Sequence, residues 1–208
     1  MTDNIALRTY IIVDRMQPQY SSITGTVVKG DVCLPGMSQL YIEVEPGSEV
    51  YRMLDIAVKS TNAKPGFQIV EREYGEIELH SHSIEEVTQA GEAILEEYGL
   101  RISDRIKPRI ISEQVITNVD ALQAQLINRD NRLGSILVPG ETVYVCEVEP
   151  AAYISIIVNE AEKNSDIKII NFDPVGRYGR MYVSGTESNI RTVKEVVKSV
   201  LDRIEGRD

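Results

Sequence analysis

His80 and His82 stand two residues apart, so on a strand both imidazoles would point to one side and supply the first two ligands of a metal site. No third ligand sits at a helpful spacing, so the pair is read as the polar end of a strand and no metal is expected. Glu43, Glu45, Glu147 and Glu149 are closely spaced carboxylates of the kind that perform general acid–base chemistry. Alternation on the wet face of a strand explains them without catalysis, and pairing across a domain interface suits them better. Glu71 beside Arg72, in Val70-Glu71-Arg72-Glu73-Tyr74-Gly75, is an ion pair which on its own reads as a solvated hairpin tip. Cys33 and Cys146 have no Cys-x-x-Cys partner and read as small apolar residues in a reducing compartment. The chain has no Gly-x-Gly-x-x-Gly, no phosphate-binding loop and no Ser-His-Asp or Cys-His order. It is therefore read as no enzyme, with no cofactor.

What positions these residues is a duplication. Leu34 to Lys59 and Val138 to Lys163 match without a gap at an offset of 104, bringing Pro35-Gly36 onto Pro139-Gly140 and Glu43-Val44-Glu45-Pro46 onto Glu147-Val148-Glu149-Pro150. Tyr74-Gly75 recurs as Tyr178-Gly179, and His80 and His82 become Ser184 and Thr186. Two domains of about a hundred residues follow, 1–103 and 104–208. Hydrophobic content of 42% and charged content of 26% are those of a globular protein. No apolar run suits a membrane span and no leader pattern opens the chain, so a cytosolic protein is expected. A net charge of -10 argues against a sequence-independent grip on nucleic acid.

Each copy reads as strand, irregular segment with room for a short helix, strand, helix, hairpin, helix. Residues 6–14 and their expected equivalents 110–118 are β-rich; 39–45 alternates Leu40, Ile42 and Val44 with Tyr41, Glu43 and Glu45. Pro46-Gly47-Ser48-Glu49 opens a helix whose inner face is Val50, Met53, Leu54, Ala57 and Val58, with Ser48 and Glu49 expected to serve its free amides. Strands near 66–71 and 76–80 and a helix over 83–98 complete the copy, making the class α+β with helices on one face of an antiparallel sheet.

In that order, Tyr10-Ile11-Ile12-Val13-Asp14, Leu34-Pro35-Gly36, Tyr41-Ile42-Glu43-Val44-Glu45-Pro46-Gly47, Asp55-Ile56-Ala57-Val58-Lys59 and Val70 to Gly75 closely resemble the permuted tandem-domain shell proteins of bacterial microcompartments, the carboxysome-type subgroup. The resemblance implies two tandem ferredoxin-like, circularly permuted shell domains. It also implies a homotrimer whose six domains form a pseudohexameric disc, stacking of two discs as a dimer of trimers, and a central pore that opens and closes. The partners would be other shell proteins and small metabolites, with no nucleic acid and no membrane, and the location the microcompartment shell in the bacterial cytoplasm. By the same resemblance Glu71 and Arg72 line and gate the pore, and Lys59 and Lys163 lie at the disc edge where discs tile. Val175 and Gly176 replace the Glu-Arg pair in the second copy, giving three of each per disc, and no motif assigns Asp173 or Arg177 a role. The alternative class is a ferredoxin-like regulatory oligomer binding a small molecule. A sheet-surface RNA binder would need Tyr41 and Tyr144 exposed beside a basic face, and the acids there oppose it.

Overall fold

The computed structural model describes residues 5–208 and contains the repeat twice over. The first copy runs β1 (Ala6–Val13), α1 (Pro18–Val27), β2 (Ser38–Glu45), α2 (Val50–Ser60), β3 (Lys64–Glu71), β4 (Tyr74–Ser81) and α3 (Ile84–Tyr98). The second runs β5 (Arg109–Ile116), α4 (Ala121–Asp130), β6 (Thr142–Glu149), α5 (Tyr153–Asn164), β7 (Lys168–Asp173), β8 (Gly179–Gly185) and α6 (Glu187–Asp202). Each copy folds into a four-stranded antiparallel sheet, in the orders β1-β2-β4-β3 and β5-β6-β8-β7. This is the α+β class expected of two tandem permuted domains.

The alternation of β2 decides its two faces. Leu40, Ile42 and Val44 pack under Val50, Met53 and Ala57 of α2 and Val87, Ala90 and Ile94 of α3. Tyr144, Cys146 and Val148 do the same beneath α5 and α6. The other face of β2 is not wet. Tyr41 and Glu43 are buried there, where Tyr20 and Ile23 of α1 and Tyr153 and Ile154 of α5 share one apolar cluster with Tyr41 and Phe67. Helices thus cover both faces of the first sheet, because α1 and the second copy occupy the face that alternation alone assigns to water. Tyr41 and Tyr144 are both buried, which removes the stacking platform an RNA binder needs.

Register corrects the sequence alignment by one residue at the start of each copy. Val13 lies opposite Gln39, and Ile116 opposite Val143, so β1 and α1 correspond to β5 and α4 at an offset of 103, whereas the pairing of β2 with β4 recurs in β6 and β8 at 104 and the closing helices α3 and α6, with N-caps Ser83 and Thr186, return to 103. The helix entry also differs from expectation: a 3-10 turn, Gly47–Glu49, precedes α2, and neither Ser48 nor Glu49 caps it by side chain. Glu49 instead accepts a hydrogen bond from the Tyr98 hydroxyl at 3.0 Å. The repeated Tyr-Gly has a steric cause. A Cβ on Gly75 would stand 2.0 Å from the Gly47 carbonyl oxygen, and one on Gly179 2.0 Å from that of Ala151, so each hairpin closes against the turn before α2 or α5 only without a side chain.

Candidate functional site

The hairpin β3–β4 turns in two residues, since Glu71 pairs with Tyr74 and only Arg72 and Glu73 lie between. Arg72 is held at φ 56, a left-handed conformation that costs a side-chain-bearing residue about 1–2 kcal/mol. Such outliers persist where the surroundings impose them and recur at functional sites. The Arg72 side chain is 90% exposed, with Nε 3.6 Å from Glu71 Oε1. A pair this wet is worth about 0–1 kcal/mol, so either partner can leave it cheaply.

The equivalent turn of the second copy comes to the same place. Asp173 ends β7 and its Oδ1 accepts from the Val175 amide at 3.0 Å; a Cβ on Gly176 would reach Glu71 Cγ at 4.0 Å. Glu71, Arg72, Glu73, Tyr74, Gly176 and Arg177 enclose a cavity of about 170 Å³. Behind it Glu149 Oε2 accepts from Arg109 Nε at 3.0 Å, and Glu149 Oε1 lies 3.8 Å from Arg177 Nε, while the Arg8 guanidinium stacks 3.6 Å from the Tyr74 ring centroid. Sequence motifs pick out Glu71 and Arg72 but miss Gly176 and Arg177. The signal available was the repeat itself, since Tyr178-Gly179 must bring its own turn to the position of Tyr74-Gly75.

Lys59 and Lys163 occupy the last turns of α2 and α5, where a cation also complements the helix dipole. Both are exposed, Lys59 Nζ at 2.6 Å from Asp55 Oδ2 and Lys163 Nζ at 3.3 Å from Glu160 Oε1. His80 departs from the strand-end reading: it is fully buried, with Nδ1 3.0 Å from Glu78 Oε1 and Nε2 3.3 Å from Asp31 Oδ2, while His82 is exposed. Burial disfavours the charged ring, but hydrogen bonding to Glu78 and Asp31 and their charges prevail and raise its pKa. Burial pushes the Cys33 thiol up to about 12 and the Cys146 thiol up to about 11, so both are protonated apolar residues rather than nucleophiles. Among the described residues no three His, Cys, Asp or Glu side chains gather as a metal site, and no helix is long and apolar enough to cross a membrane.

The seam between the copies is as informative as the turns. Glu162 of α5 takes the α1 amides of Gln19 and Tyr20, each at 2.8 Å, neutralising donors that a helix start leaves free. Asn159 Oδ1 accepts from the Gln17 amide at 2.8 Å, and Glu43 Oε2 from the Ala152 amide at 3.2 Å. So α1 and β1 of one copy sit on α5 of the other. The reciprocal surfaces stand open. On α4, Leu122 is 71% and Leu126 62% exposed, at the positions of Gln19 and Ile23. On α2, exposed Tyr51 and Val58 hold the positions of Ser155 and Glu162.

A family model described as the CsoS1D N-terminal domain matches residues 7–104. The carboxysome shell protein CcmP of Synechococcus elongatus is 44% identical over 204 residues, covering 98% of this chain and 95% of its own. The carboxysome shell protein CsoS1D of Hydrogenovibrio crunogenus is 41% identical over 203 residues, covering 98% and 99%. Among solved structures, the fused permuted hexameric shell protein MSM0275 from the RMM microcompartment superposes with a TM-score of 0.93 at 36% identity, over 98% of this chain and 100% of that one. The double ringed trimeric shell protein MSM0271 from the same microcompartment gives 0.93 at 30% identity, over 99% and 100%.

Proposed function

The chain belongs to the permuted tandem-domain shell proteins of bacterial microcompartments, and from that membership we propose that three copies close into a disc whose central passage is lined by both hairpin turns of each chain. It is a structural component of the shell; the further reading is that it performs no chemistry of its own. We take the two shell domains as 1–103 and 104–208, a boundary inside the 3-10 turn Ile102–Asp104.

The observation that carries ring closure is the seam and its missing reciprocal. Among the described residues the copies meet along one seam, α1 and β1 on α5 with α1 also against β7, and the surfaces for the same contact in the other direction are open, α4 with its two exposed leucines and α2 with Tyr51 and Val58. A heterologous surface of this kind is satisfied by a closed ring or an open filament, and a relative named as trimeric supports the ring, with three chains and six domains. Light scattering tests this: about 70 kDa, or twice that, against 23.3 kDa for one chain.

Around the three-fold axis, Glu71, Arg72, Gly176 and Arg177 would each appear three times. With Glu73 of the same turn counted, two carboxylates meet two arginines per chain, so the rim carries both signs and no net charge from these four side chains. Arg72 is the mobile element, because its long, exposed side chain is weakly held, and swinging it away would widen the passage. Lys59 and Lys163 then serve at the disc edge, where neighbouring shell proteins tile.

Exposure also suggests where a second disc would stack. Val32 and Leu34, and their equivalents Ile136 and Val138, are each about half exposed or more. The first pair stays so although its own α1 side of the seam is formed, and the second although its own α5 side is formed, so neither ring contact covers these positions. Four such side chains per chain, three chains per disc, would bury on the order of 1,200 Å² on each of two discs, enough for a stable interface. Face-to-face stacking sets like against like, as a two-fold interface requires.

A further inference from the structure

Glu76 on β4 is 3% exposed, and its Oε1 has no hydrogen-bond partner. It faces the seam between the copies: β2 sets it directly opposite Glu43, the residue that accepts from the Ala152 amide. The groups gathered about it are Glu43 and Tyr41 from β2, Glu78 two residues along β4, and Asp173 from the end of β7, with Ile69 its neighbour on β3. Arg8 of β1, the cation of this row, donates from Nε to Glu43 Oε1 at 2.7 Å and lies with its guanidinium on the Tyr74 ring; its Nη2 makes no hydrogen bond to Glu76.

The second copy displays the satisfied version of the same row. There Glu147 lies opposite Arg180, which donates to it from Nε at 2.7 Å and also from Nη2. In the first copy a carboxyl stands in the place of that arginine. Ionised, it would have neither water nor a cation to offset its charge and would lie beside other carboxylates; protonated, it escapes both penalties. Burial first, then the charges of Glu43, Asp173 and Glu78, push its pKa well above the ordinary carboxylate range.

We propose that Glu76 is a proton-operated latch on the seam, closed while its neutral carboxyl lies against Glu43 and Asp173 and released when it ionises. Asp173 begins the turn whose Gly176 abuts Glu71, so release loosens the hairpin tips that we assign to the passage. All of these groups lie in one chain. The latch therefore stands or falls independently of whether three chains close a ring.

The sign follows from the raised folded-state pKa: the latch stabilises fully below the ordinary carboxylate pKa and its contribution is lost as pH rises towards the folded value. Denaturant unfolding of the full chain and of Glu76→Gln, a neutral isostere, reads this from about pH 4.5 to about pH 9. The two proteins should agree at the acid end, and the variant should then gain on the wild type by up to about tenfold in folding constant per pH unit until Glu76 is ionised in the fold. At the alkaline end, amides of the Val175–Tyr178 turn should exchange several-fold faster in the wild type than in the variant at equal pH. Parallel stability curves would overturn the proposal. So would infrared spectra of the wild-type protein at neutral pH without a protonated carboxylic-acid band, a measurement that needs no variant to fold.

Discussion

Replacing Leu126 with aspartate should dissolve the ring and leave the chain folded. Leu126 is 62% exposed in the single chain, whereas its equivalent Ile23, already seated on the other copy, is 3% exposed. Closing the ring thus takes about three-fifths of the side chain out of water, worth about 1–2 kcal/mol per contact on the scale for fully burying an aliphatic residue. Aspartate forfeits that and adds the cost of desolvating an unpaired carboxylate, so the penalty per contact is at least about 3 kcal/mol. Three contacts make about 9 kcal/mol per ring, more than six powers of ten in the association constant. Light scattering at micromolar concentration should give the mass of one chain, 23.3 kDa, with a native-like circular dichroism spectrum. The spectrum is the proper check on folding, because loss of partners lowers the melting temperature by mass action alone. Leu126→Ala should only weaken the trimer. A Leu126→Asp protein that stays trimeric, or one that unfolds, would refute the correspondence between α4 and α1.

Three further outcomes are expected. Glu71→Ala/Arg72→Ala should keep oligomer size and change chain stability by no more than about 0.5 kcal/mol, since both side chains are largely exposed; shells reconstituted with it should leak a phosphorylated metabolite faster, and unchanged leakage would remove the pair from the passage. Lys59→Ala/Lys163→Ala should lose extended sheets seen by electron microscopy but not the trimer, because each lysine is exposed and pairs with a surface carboxylate of its own helix; sheets equal to wild type would end the edge assignment. Val32→Glu/Ile136→Glu should halve the mass of any double disc while leaving single trimers intact, and a double disc that survives it would place stacking elsewhere.

Much of this was legible in the residues. The gapless block from Leu34 to Lys59 fixes a tandem α+β repeat, and the three-and-four spacing of Val50, Met53 and Ala57 finds the buried side of α2. What alternation cannot tell is water from a second domain. Tyr41 and Glu43 look like a wet face because polar residues line it, yet Arg8, Thr9 and the Ala152 amide satisfy Glu43 in the dark. The one-residue shift between β1 and β5 hides in a segment with little sequence identity, and only strand pairing exposes it. That shift matters: it moves Leu122 and Leu126 from unremarkable positions onto those of Gln19 and Ile23, and so makes two stray exposed leucines half of the ring contact we propose. The proposed passage suffers the same limit. Glu71 and Arg72 carry a motif, whereas Gly176 and Arg177 join them only through the folded seam.

Electron microscopy of the purified protein, viewed down the disc axis, addresses the central claim most directly. The account predicts particles with three-fold symmetry and six lobes around a central passage, single or doubled in thickness, that take a hexamer's place when mixed with single-domain shell hexamers. Particles of one or two chains, or closed rings in which the β3–β4 and β7–β8 turns lie at the outer edge instead of the centre, would contradict it.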